Sequence, residues 1–296
     1  MIDFEIHSPV HQIHDCLYEL KQVSVFVKRD DLIHPYISGN KWRKLKYNLQ
    51  TAALEEKKHL VTFGGAYSNH LLATACAGAK FNFKTTGIVR GEEVSNSTLL
   101  LCKLFGMKLK FLDRNTYKNK QAYFQIHYLT DKDAFFIDEG GAGADAVKGC
   151  AELIEELDET YDHLFCASGT GTTAAGLLNG IHTHHPETML HVIPVLKNGE
   201  VIKQDILKYG GLETNLLLHL NYHFGGYAKT TTELIMFVKS ITSKTGMLID
   251  PVYTGKMFYA MNDLISKGYF EPGSKILAIH TGGLLGILGM AEKFNS

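Results

Sequence analysis

Short apolar stretches rich in β-branched residues alternate along the chain with segments of helical periodicity. The stretches that we predict to be strands are Val23–Lys28, Leu60–Phe63, Thr85–Val89, Lys108–Leu112, Ala134–Ile137, His163–Cys166, Leu190–Val195 and Lys275–His280. Many of them end in glycine or small polar residues, and a helical pattern then follows. This alternation predicts an α/β protein in which helices cover both faces of parallel sheets. Ligands of such sheets bind at the carboxyl ends of the strands, near helix N-termini.

Three predicted helices begin at turns of this kind. One follows Gly39, and its apolar face consists of Trp42, Leu45, Leu49 and Ala52. The second covers Asn69–Ala79, and the third follows Ser168-Gly169 and continues to about His182. These helix starts are therefore the first places to search for a binding site.

The charge balance excludes some classes of protein. The 296 residues include 30 basic and 31 acidic side chains, which gives a net charge of −1. We therefore expect no nucleic-acid partner and no polybasic membrane surface. The chain has 28 glycines and only 6 prolines, which favours many tight strand-to-helix turns over a disordered chain.

The five cysteines are scattered and contain no Cys-x-x-Cys pair, so we expect neither a disulfide framework nor a zinc site. No basic start precedes an apolar run, and no apolar run approaches the length of a membrane span. We therefore expect a cytoplasmic protein. His182, His184 and His185 lack the spacing of a zinc protease, and histidines also suit a helix C-terminus, so we expect no metal.

The organisation of the chain predicts two lobes. No repeat or low-complexity linker divides it, but the glycine-rich stretch 138–144 is a plausible hinge. The chain could also cross between lobes just after Lys41. We expect residues 1–43 and 143–296 to form the larger lobe, and residues 44–142 the smaller one.

The stretch Ser168–Gly176 has the composition of a phosphate-binding turn. Its glycines and hydroxyls, from Gly169, Thr170, Gly171, Thr172 and Thr173, offer N–H and O–H donors at a helix start, where the helix dipole favours an anion. It matches neither the Walker loop nor the Gly-x-Gly-x-x-Gly motif. The alternative is a tight turn with Ser/Thr caps.

Lys41 lies at another predicted helix start, directly after Gly39 and Asn40. The helix dipole disfavours a cation there, and it lowers the pKa of an amine that must lose its proton to form a Schiff base. The alternative is a solvated lysine on a basic helix face that also carries Arg43, Lys44 and Lys46.

Three more turns carry small polar residues. Ser68 and Asn69 lie in the stretch Phe63–His70, where they could either hold a ligand or simply cap a helix. The other two turns are Asp250–Lys256, which contains Tyr253, and His280–Gly283, which contains Thr281. A buried structural tyrosine is the alternative for Tyr253.

One lysine, one phosphate turn and several polar turns on an α/β chain are typical of pyridoxal 5′-phosphate enzymes. The motifs Val27–Leu32, Ser38–Leu45, Gly64–His70, Asp138–Gly141, Ser168–Gly176, Tyr253–Lys256 and His280–Gly283 occur in one order along nearly the whole chain. In that order they resemble the 1-aminocyclopropane-1-carboxylate deaminase/D-cysteine desulfhydrase family. The resemblance implies fold type II, the tryptophan synthase β-like fold. It also implies two three-layer αβα lobes, with the cofactor in the cleft and mainly on the larger lobe, and a homodimer.

The resemblance also implies roles for single residues. Lys41 matches the lysine that binds the cofactor covalently, Asn69 the residue that contacts its phenolic oxygen, and Thr281 a residue near its pyridine nitrogen. Residues Gly169, Thr170, Gly171, Thr172 and Thr173 match the phosphate loop, to which Lys44 could add a contact. Ser68 and Tyr253 match catalytic residues that face the substrate, and Asn69 and His70 complete the expected substrate site.

Two positions depart from the family pattern. Ala66-Tyr67 replaces an Ile-Gln or Val-Gln pair, which changes the pocket wall. Thr254 stands where deaminases that open the cyclopropane ring have a glutamate. A hydroxyl cannot hold a positive charge on the pyridine nitrogen as a carboxylate does, so the cofactor should be a weaker electron sink. The expected substrate is therefore a small amino acid with a good leaving group.

The expected reaction is D-cysteine desulfhydrase-like elimination, which gives pyruvate, ammonia and sulfide. The first alternative is 1-aminocyclopropane-1-carboxylate deaminase, which would give 2-oxobutanoate and ammonia. Elimination from D-serine or β-chloro-D-alanine, or racemisation, would be a third outcome. A cofactor-binding protein without turnover is the alternative from another class.

Overall fold

Two sheets organise the protein, seen in a computed structural model that describes residues 2–210 and 212–294. The larger sheet has six strands in the order β1-β2-β10-β7-β8-β9, and the smaller has four in the order β5-β4-β3-β6. Within the described residues, every pairing is parallel except that of β1 with β2. Both sheets therefore consist mainly of parallel strands, as the alternating pattern predicts.

The ten strands have these bounds: β1 Val10–Ile13, β2 Ser24–Lys28, β3 His59–Gly65, β4 Lys84–Arg90, β5 Lys108–Leu112, β6 Ala134–Ile137, β7 His163–Ser168, β8 Met189–Pro194, β9 Leu216–Leu218 and β10 Lys275–Ile279. All eight predicted strands are found, within two residues at their ends. Two strands were not predicted. β1 contains the polar pair His11-Gln12 and pairs antiparallel at the edge, and β9 has only three residues.

The helices run as follows: α1 Cys16–Leu20, α2 Asn40–Leu54, α3 Asn69–Phe81, α4 Ser97–Leu104, α5 Lys120–Tyr128, α6 Ala144–Glu155, α7 Thr172–His184, α8 Glu200–Lys208, α9 Thr232–Thr245 and α10 Thr254–Ser266. Short 3₁₀ segments connect some of these elements, and the longest is Leu284–Phe294. Apolar cores lie between each sheet and its helices. The predicted lobe boundary after residue 43 falls inside α2, so the exact boundaries stay a prediction.

Three helices, α2, α6 and α7, pack unusually closely. A Cβ on Gly149 of α6 would lie 2.0 Å from the carbonyl oxygen of Arg43 in α2. A Cβ on Gly176 of α7 would lie 2.4 Å from the Cβ of Cys150 and 2.5 Å from the carbonyl oxygen of Val147, both in α6. Only glycine permits these approaches, which bring the starts of α2 and α7 side by side.

A buried ion network holds α2 in place. The Arg43 guanidinium donates two hydrogen bonds to Asp30, at 2.6 and 2.7 Å, and two more to Glu156, at 2.8 and 2.9 Å. Lys28 also pairs with Glu156, at 3.0 Å. The carboxylates hold the pKa of Arg43 well above its ordinary value. Because bidentate pairs fix orientation as well as distance, this network positions the first turn of α2.

Within residues 2–210 and 212–294, no helix combines the length and apolar character needed to cross a membrane.

Replacing Gly176 with alanine tests the close helix packing. In an isolated helix, Gly→Ala stabilises by about 1 kcal/mol. Here the added methyl meets backbone and a rigid Cβ, so we expect Gly176→Ala to destabilise the protein by roughly 1–3 kcal/mol in urea unfolding. Met236→Ala, on the exposed face of α9, is the control, and it should stay within about 0.5 kcal/mol of wild type. A stabilised Gly176→Ala variant would contradict the packing.

Candidate active site

Lys41 lies in the first turn of α2, where the helix start meets the end of β10. Gly39 precedes the helix with φ +57°, and a Cβ there would lie 1.8 Å from the carbonyl oxygen of Thr281. The Asn40 N–H donates to the same oxygen at 3.4 Å. The positive φ and the close approach of the Thr281 carbonyl both require glycine at position 39. The close approach also places Thr281 beside the turn that carries Lys41.

The Lys41 side chain lines a pocket together with Ser38, Asn69, Leu72 and Gly283. Burial, and to a smaller extent the charge of Lys44, lower the pKa of Lys41 to about 7. Burial and the Lys44 charge are therefore two causes of the lowered Lys41 pKa besides the helix dipole. Near neutral pH, a large share of this amine is uncharged and nucleophilic.

Lys44 is only 2% exposed and lies one turn further along α2. Burial lowers its pKa, and the influence that opposes this shift comes from the Cys150 thiol. Burial also raises the pKa of Cys150, so the thiol supplies no permanent anion. The solvated basic face considered for Lys41 is wrong, because Arg43 and Lys44 are both buried.

The turn that opens α7 lies next to the lysine turn. The Asn40 side-chain amide donates to the Thr173 hydroxyl at 3.1 Å, which joins the two helix starts directly. Thr172 and Thr173 are buried, and the Ser168 hydroxyl donates to the Thr170 carbonyl at 2.8 Å. The first backbone N–H groups of a helix have no partner within the helix, so this turn can bind an anion. Gly169 and Gly171 belong to the same turn.

Ser68 and Asn69 open α3 at the end of β3. The Ser68 hydroxyl accepts from the Leu71 N–H at 3.3 Å, as an N-cap does. Asn69 faces Gly283, since a Cβ on that glycine would lie 2.6 Å from its amide nitrogen. The structure therefore brings Asn69 and Lys41 into one pocket, and the cap explains part of what Ser68 does.

His70 is buried in a defined tautomer. The Thr62 hydroxyl donates to the Ile137 carbonyl at 2.9 Å, so the 2.7 Å contact to His70 Nε2 requires a proton on that nitrogen. Nδ1 is then an acceptor, and it has no partner among the described residues. Burial holds the pKa of His70 well below its ordinary value, and the charges of Lys41 and Lys44 add to this.

Tyr253 directly precedes α10 as its N-cap and lies over the α7 turn. A Cβ on Gly169 would lie 3.0 Å from its ring. The Asp250 carboxylate accepts from the N–H groups of Val252, Tyr253 and Thr254. The Thr254 hydroxyl donates to the same carboxylate at 2.8 Å. Its one hydrogen is therefore already engaged.

The structure adds Tyr227, which the sequence analysis missed. Its hydroxyl lies 3.4 Å from the Tyr253 hydroxyl, and the two rings meet edge-on at 6.0 Å. Burial and this neighbour raise the pKa of Tyr253 well above its ordinary value. The only local signal was the Gly225-Gly226 pair before Tyr227, which indicates a tight turn and nothing about a partner 26 positions away.

The histidines near the end of α7 have separate partners. His182 Nε2 lies 3.0 Å from the Thr214 carbonyl, and His184 lies 3.5 Å from Glu155. His185 Nδ1 lies 3.2 Å from the Thr160 hydroxyl. Across the part of the chain that the structure describes, no group of three or more His, Cys, Asp or Glu side chains could hold a metal.

The residues around Lys41 suit an anionic, ring-shaped cofactor. Lys44 offers a positive charge beside Lys41, neither lysine forms an ion pair with a carboxylate in the described part of the chain, and the α7 turn adds backbone donors. Ser38 Oγ and His70 Nδ1 are buried without a partner in the described structure. Unsatisfied buried polar atoms cost free energy and call for an explanation. A phosphate or ring oxygen would accept from the Ser38 hydroxyl, whereas His70 Nδ1, as an acceptor, would need a donor on the bound molecule.

Comparison with known proteins agrees with this chemistry. A family described as "Pyridoxal-phosphate dependent enzyme" matches residues 3–282. The chain belongs to this family and binds pyridoxal 5′-phosphate. Within it, the chain is a member of the 1-aminocyclopropane-1-carboxylate deaminase/D-cysteine desulfhydrase group and a pyridoxal-phosphate-dependent lyase. The resemblance stated from the sequence motifs is thereby confirmed, and the alternative without turnover is set aside.

Two archaeal relatives carry the provisional name 1-aminocyclopropane-1-carboxylate deaminase. The Pyrococcus furiosus protein is 32% identical and the alignment covers 94% of this chain and 90% of the relative. The Pyrococcus abyssi protein is 35% identical, with 92% and 88% covered. An Arabidopsis thaliana mitochondrial protein named bifunctional D-cysteine desulfhydrase/1-aminocyclopropane-1-carboxylate deaminase is 28% identical, with 92% and 75% covered.

Solved structures share the fold of this chain. A solved structure titled as an ACC deaminase homologue superposes with a TM-score of 0.86 at 29% identity, covering 99% of this chain and 94% of that one. A hydrogen sulfide-producing enzyme from Fusobacterium nucleatum shares the fold with a TM-score of 0.72 at 18% identity, with 95% and 96% covered. The expected fold type II, with the cofactor cleft between two α/β lobes, is confirmed.

The pKa of Lys41 predicts a pH-dependent stability of the cofactor-free protein. The folded pKa of about 7 lies below the ordinary 10.5, so burying the charged amine is costly below about pH 7. That cost fades as the pH rises from about 7 to 10.5. We expect Lys41→Met to be more stable than wild type by on the order of 1 kcal/mol near pH 6, and the difference to shrink near pH 9.

Urea unfolding at the two pH values measures this difference. Lys46→Met is the matched control, because Lys46 belongs to the same helix but is paired with Glu152 at 3.0 Å. It should show no such gain. A stability difference for Lys41→Met that does not change with pH would contradict the assignment.

Proposed function

We propose that the protein eliminates the β-substituent of a small D-amino acid, with D-cysteine as the substrate and pyruvate, ammonia and sulfide as products. The observation that carries this proposal is the bond from Thr254 to Asp250. By resemblance, Thr254 stands where ring-opening deaminases have a glutamate. The Thr254 hydroxyl carries no negative charge, and its oxygen already accepts from the Asp250 N–H at 3.0 Å, so it stabilises a proton on the pyridine nitrogen far less than a carboxylate does.

This difference matters more for one reaction than for the other. The bound cofactor supplies an electron sink for the bonds around the substrate α-carbon. Opening the cyclopropane ring breaks a carbon–carbon bond without a good leaving group, so it needs the strongest sink. Expelling thiolate needs less help. A site with Thr254 therefore favours elimination over ring opening.

The residues of this chain take the following roles. Lys41, whose pKa is lowered to about 7, accepts the α-proton as its neutral amine. The start of α3, with Ser68, Asn69 and His70, binds the substrate end that carries the carboxylate. Tyr253, whose phenol keeps its proton because its pKa is raised, donates that proton to the departing sulfur.

The reaction balances without an oxidant. The Cα–H and Cβ–S bonds break as a Cα–Cβ double bond forms, and sulfide leaves with a proton. The proton taken from Cα is returned to Cβ, which becomes the methyl group, and water replaces the nitrogen to give pyruvate and ammonia. Lys44 and the turn from Gly169 to Thr173 would hold the phosphate, and Thr281 would contact the side of the cofactor that carries the ring nitrogen. These assignments rest on the resemblance and on the site geometry described above.

The second candidate is 1-aminocyclopropane-1-carboxylate deaminase, and the provisional names of the two Pyrococcus relatives favour it. The Arabidopsis relative is named for both activities. The family resemblance also supports a homodimer, with residues 44–142 as the smaller lobe. The scattered cysteines support a cytoplasmic location.

Direct assay of both substrates tests the proposal. We expect the purified holoenzyme to release pyruvate from D-cysteine at least about tenfold faster, in kcat/KM, than 2-oxobutanoate from 1-aminocyclopropane-1-carboxylate. Thr254→Glu should shift this ratio toward ring opening by about tenfold or more, because a carboxylate strengthens the sink. Thr254→Ser, which keeps a hydroxyl, is the matched control and should leave the ratio within about twofold of wild type.

Faster release of 2-oxobutanoate than of pyruvate by the wild-type enzyme would overturn the proposal. An unchanged ratio in Thr254→Glu, with bound cofactor retained, would show that position 254 does not decide the reaction.

A further inference from the structure

Lys256 is a buried lysine to which the proposed reaction assigns no part. It is 0% exposed and lies in the first turn of α10, where the helix dipole disfavours a cation. Burial lowers its pKa to about 8, although Asp250 partly opposes this shift. Burying a lysine in this position costs stability, so its hydrogen bonds should show what it does.

Both hydrogen bonds of Lys256 go to one loop. Its Nζ donates to the carbonyl oxygens of His223 and Gly226, each at 2.8 Å. The loop, residues 223–229, connects a 3₁₀ turn to α9. Gly225 and Gly226 have φ values of +89° and +115°, and residues 223–229 form no helix or strand whose hydrogen bonds would hold the loop. The lysine therefore binds two main-chain carbonyls of a segment whose other contacts include short turn bonds and the packing of Phe224 against Tyr259.

The next residue in this loop is Tyr227, whose hydroxyl lies 3.4 Å from that of Tyr253. Tyr253 precedes α10 and Lys256 follows three positions later on the same turn. The helix start that carries Tyr253 thus also carries the side chain that holds the Tyr227 loop. The separation of the two phenols depends on this common support.

We propose that Lys256 is a positioning residue, which holds Tyr227 against Tyr253 so that the two phenols together face the leaving group of the substrate. The kinetic part of this proposal rests on the proposed function. A phenol pair can share one hydrogen bond and keep a proton directed at the departing atom, which a single mobile phenol does less well. The alternative is a lysine that only stabilises the fold.

Lys256→Met tests the role of the donors, because methionine keeps much of the length and removes the N–H groups. Hydrogen–deuterium exchange of the holoenzyme without substrate reports on residues 223–229. We expect exchange there to be about tenfold faster than in wild type, with the rest of the chain less affected. Lys256→Gln, which keeps an N–H donor on a shorter chain, should be intermediate, and it provides the same test if the methionine variant does not fold.

Kinetics of D-cysteine elimination then test whether Lys256 acts through Tyr227. We expect Lys256→Met and Tyr227→Phe each to lower kcat/KM by about tenfold. The double variant should lie within about twofold of Tyr227→Phe alone, because the second change removes support for a group that is already gone.

Lys28→Met is the matched control. Lys28 is also buried and donates to a main-chain carbonyl, that of Ser8, at 2.6 Å. Lys28→Met should lower overall stability and leave exchange at 223–229 no faster than elsewhere. Any loss in kcat/KM that it causes should multiply with the loss caused by Tyr227→Phe.

Unchanged exchange at 223–229 in both Lys256 variants would overturn the proposal. Losses in kcat/KM that multiply in the Lys256→Met/Tyr227→Phe variant would also overturn it. If wild type eliminates nothing from D-amino acids, the proposed function fails. The exchange result still decides whether Lys256 positions the loop.

Discussion

The close packing of α2, α6 and α7 is the constraint on which the site depends. Gly149 and Gly176 let the three helices approach at backbone distance, and the Arg43 network locks the first of them in place. The starts of α2 and α7 are thereby held together, joined by the bond from Asn40 to Thr173. A covalent attachment point and an anion-binding turn must keep a fixed separation if one cofactor is to reach both.

This packing also has an electrostatic consequence. It holds the half-buried Lys41 beside the buried Lys44, with no ion pair from either lysine to a carboxylate among the described residues, so positive charge on this pair costs stability until an anion arrives. The lowered pKa of Lys41 and the need for a phosphate are therefore two results of the same arrangement. Ser38 Oγ and His70 Nδ1, which are buried without a hydrogen-bond partner in the described structure, lie in the same region.

Local sequence patterns predicted those parts of the fold and of the site that depend on residues close together in the sequence. The eight main strands, the helix starts at Asn40, Asn69 and Thr172, and the turns between them follow from periodicity and from glycine positions. β1 and β9 escaped because polar or very short strands have little apolar alternation. The pairing of Tyr227 with Tyr253 and the role of Lys256 escaped because they arise from contacts between distant segments. The composition of a glycine-rich loop does not specify where it will dock.

The most direct test of the central claim compares pyridoxal 5′-phosphate with pyridoxal, which lacks the phosphate, in calorimetric titrations of cofactor-free wild type and Lys44→Met. We expect the variant to bind pyridoxal 5′-phosphate about ten- to hundredfold more weakly than wild type and to bind pyridoxal almost equally well. Lys46→Met should change neither affinity. Equal affinities of wild type and Lys44→Met for pyridoxal 5′-phosphate would contradict the claim that Lys44 and the α7 turn together form the phosphate site.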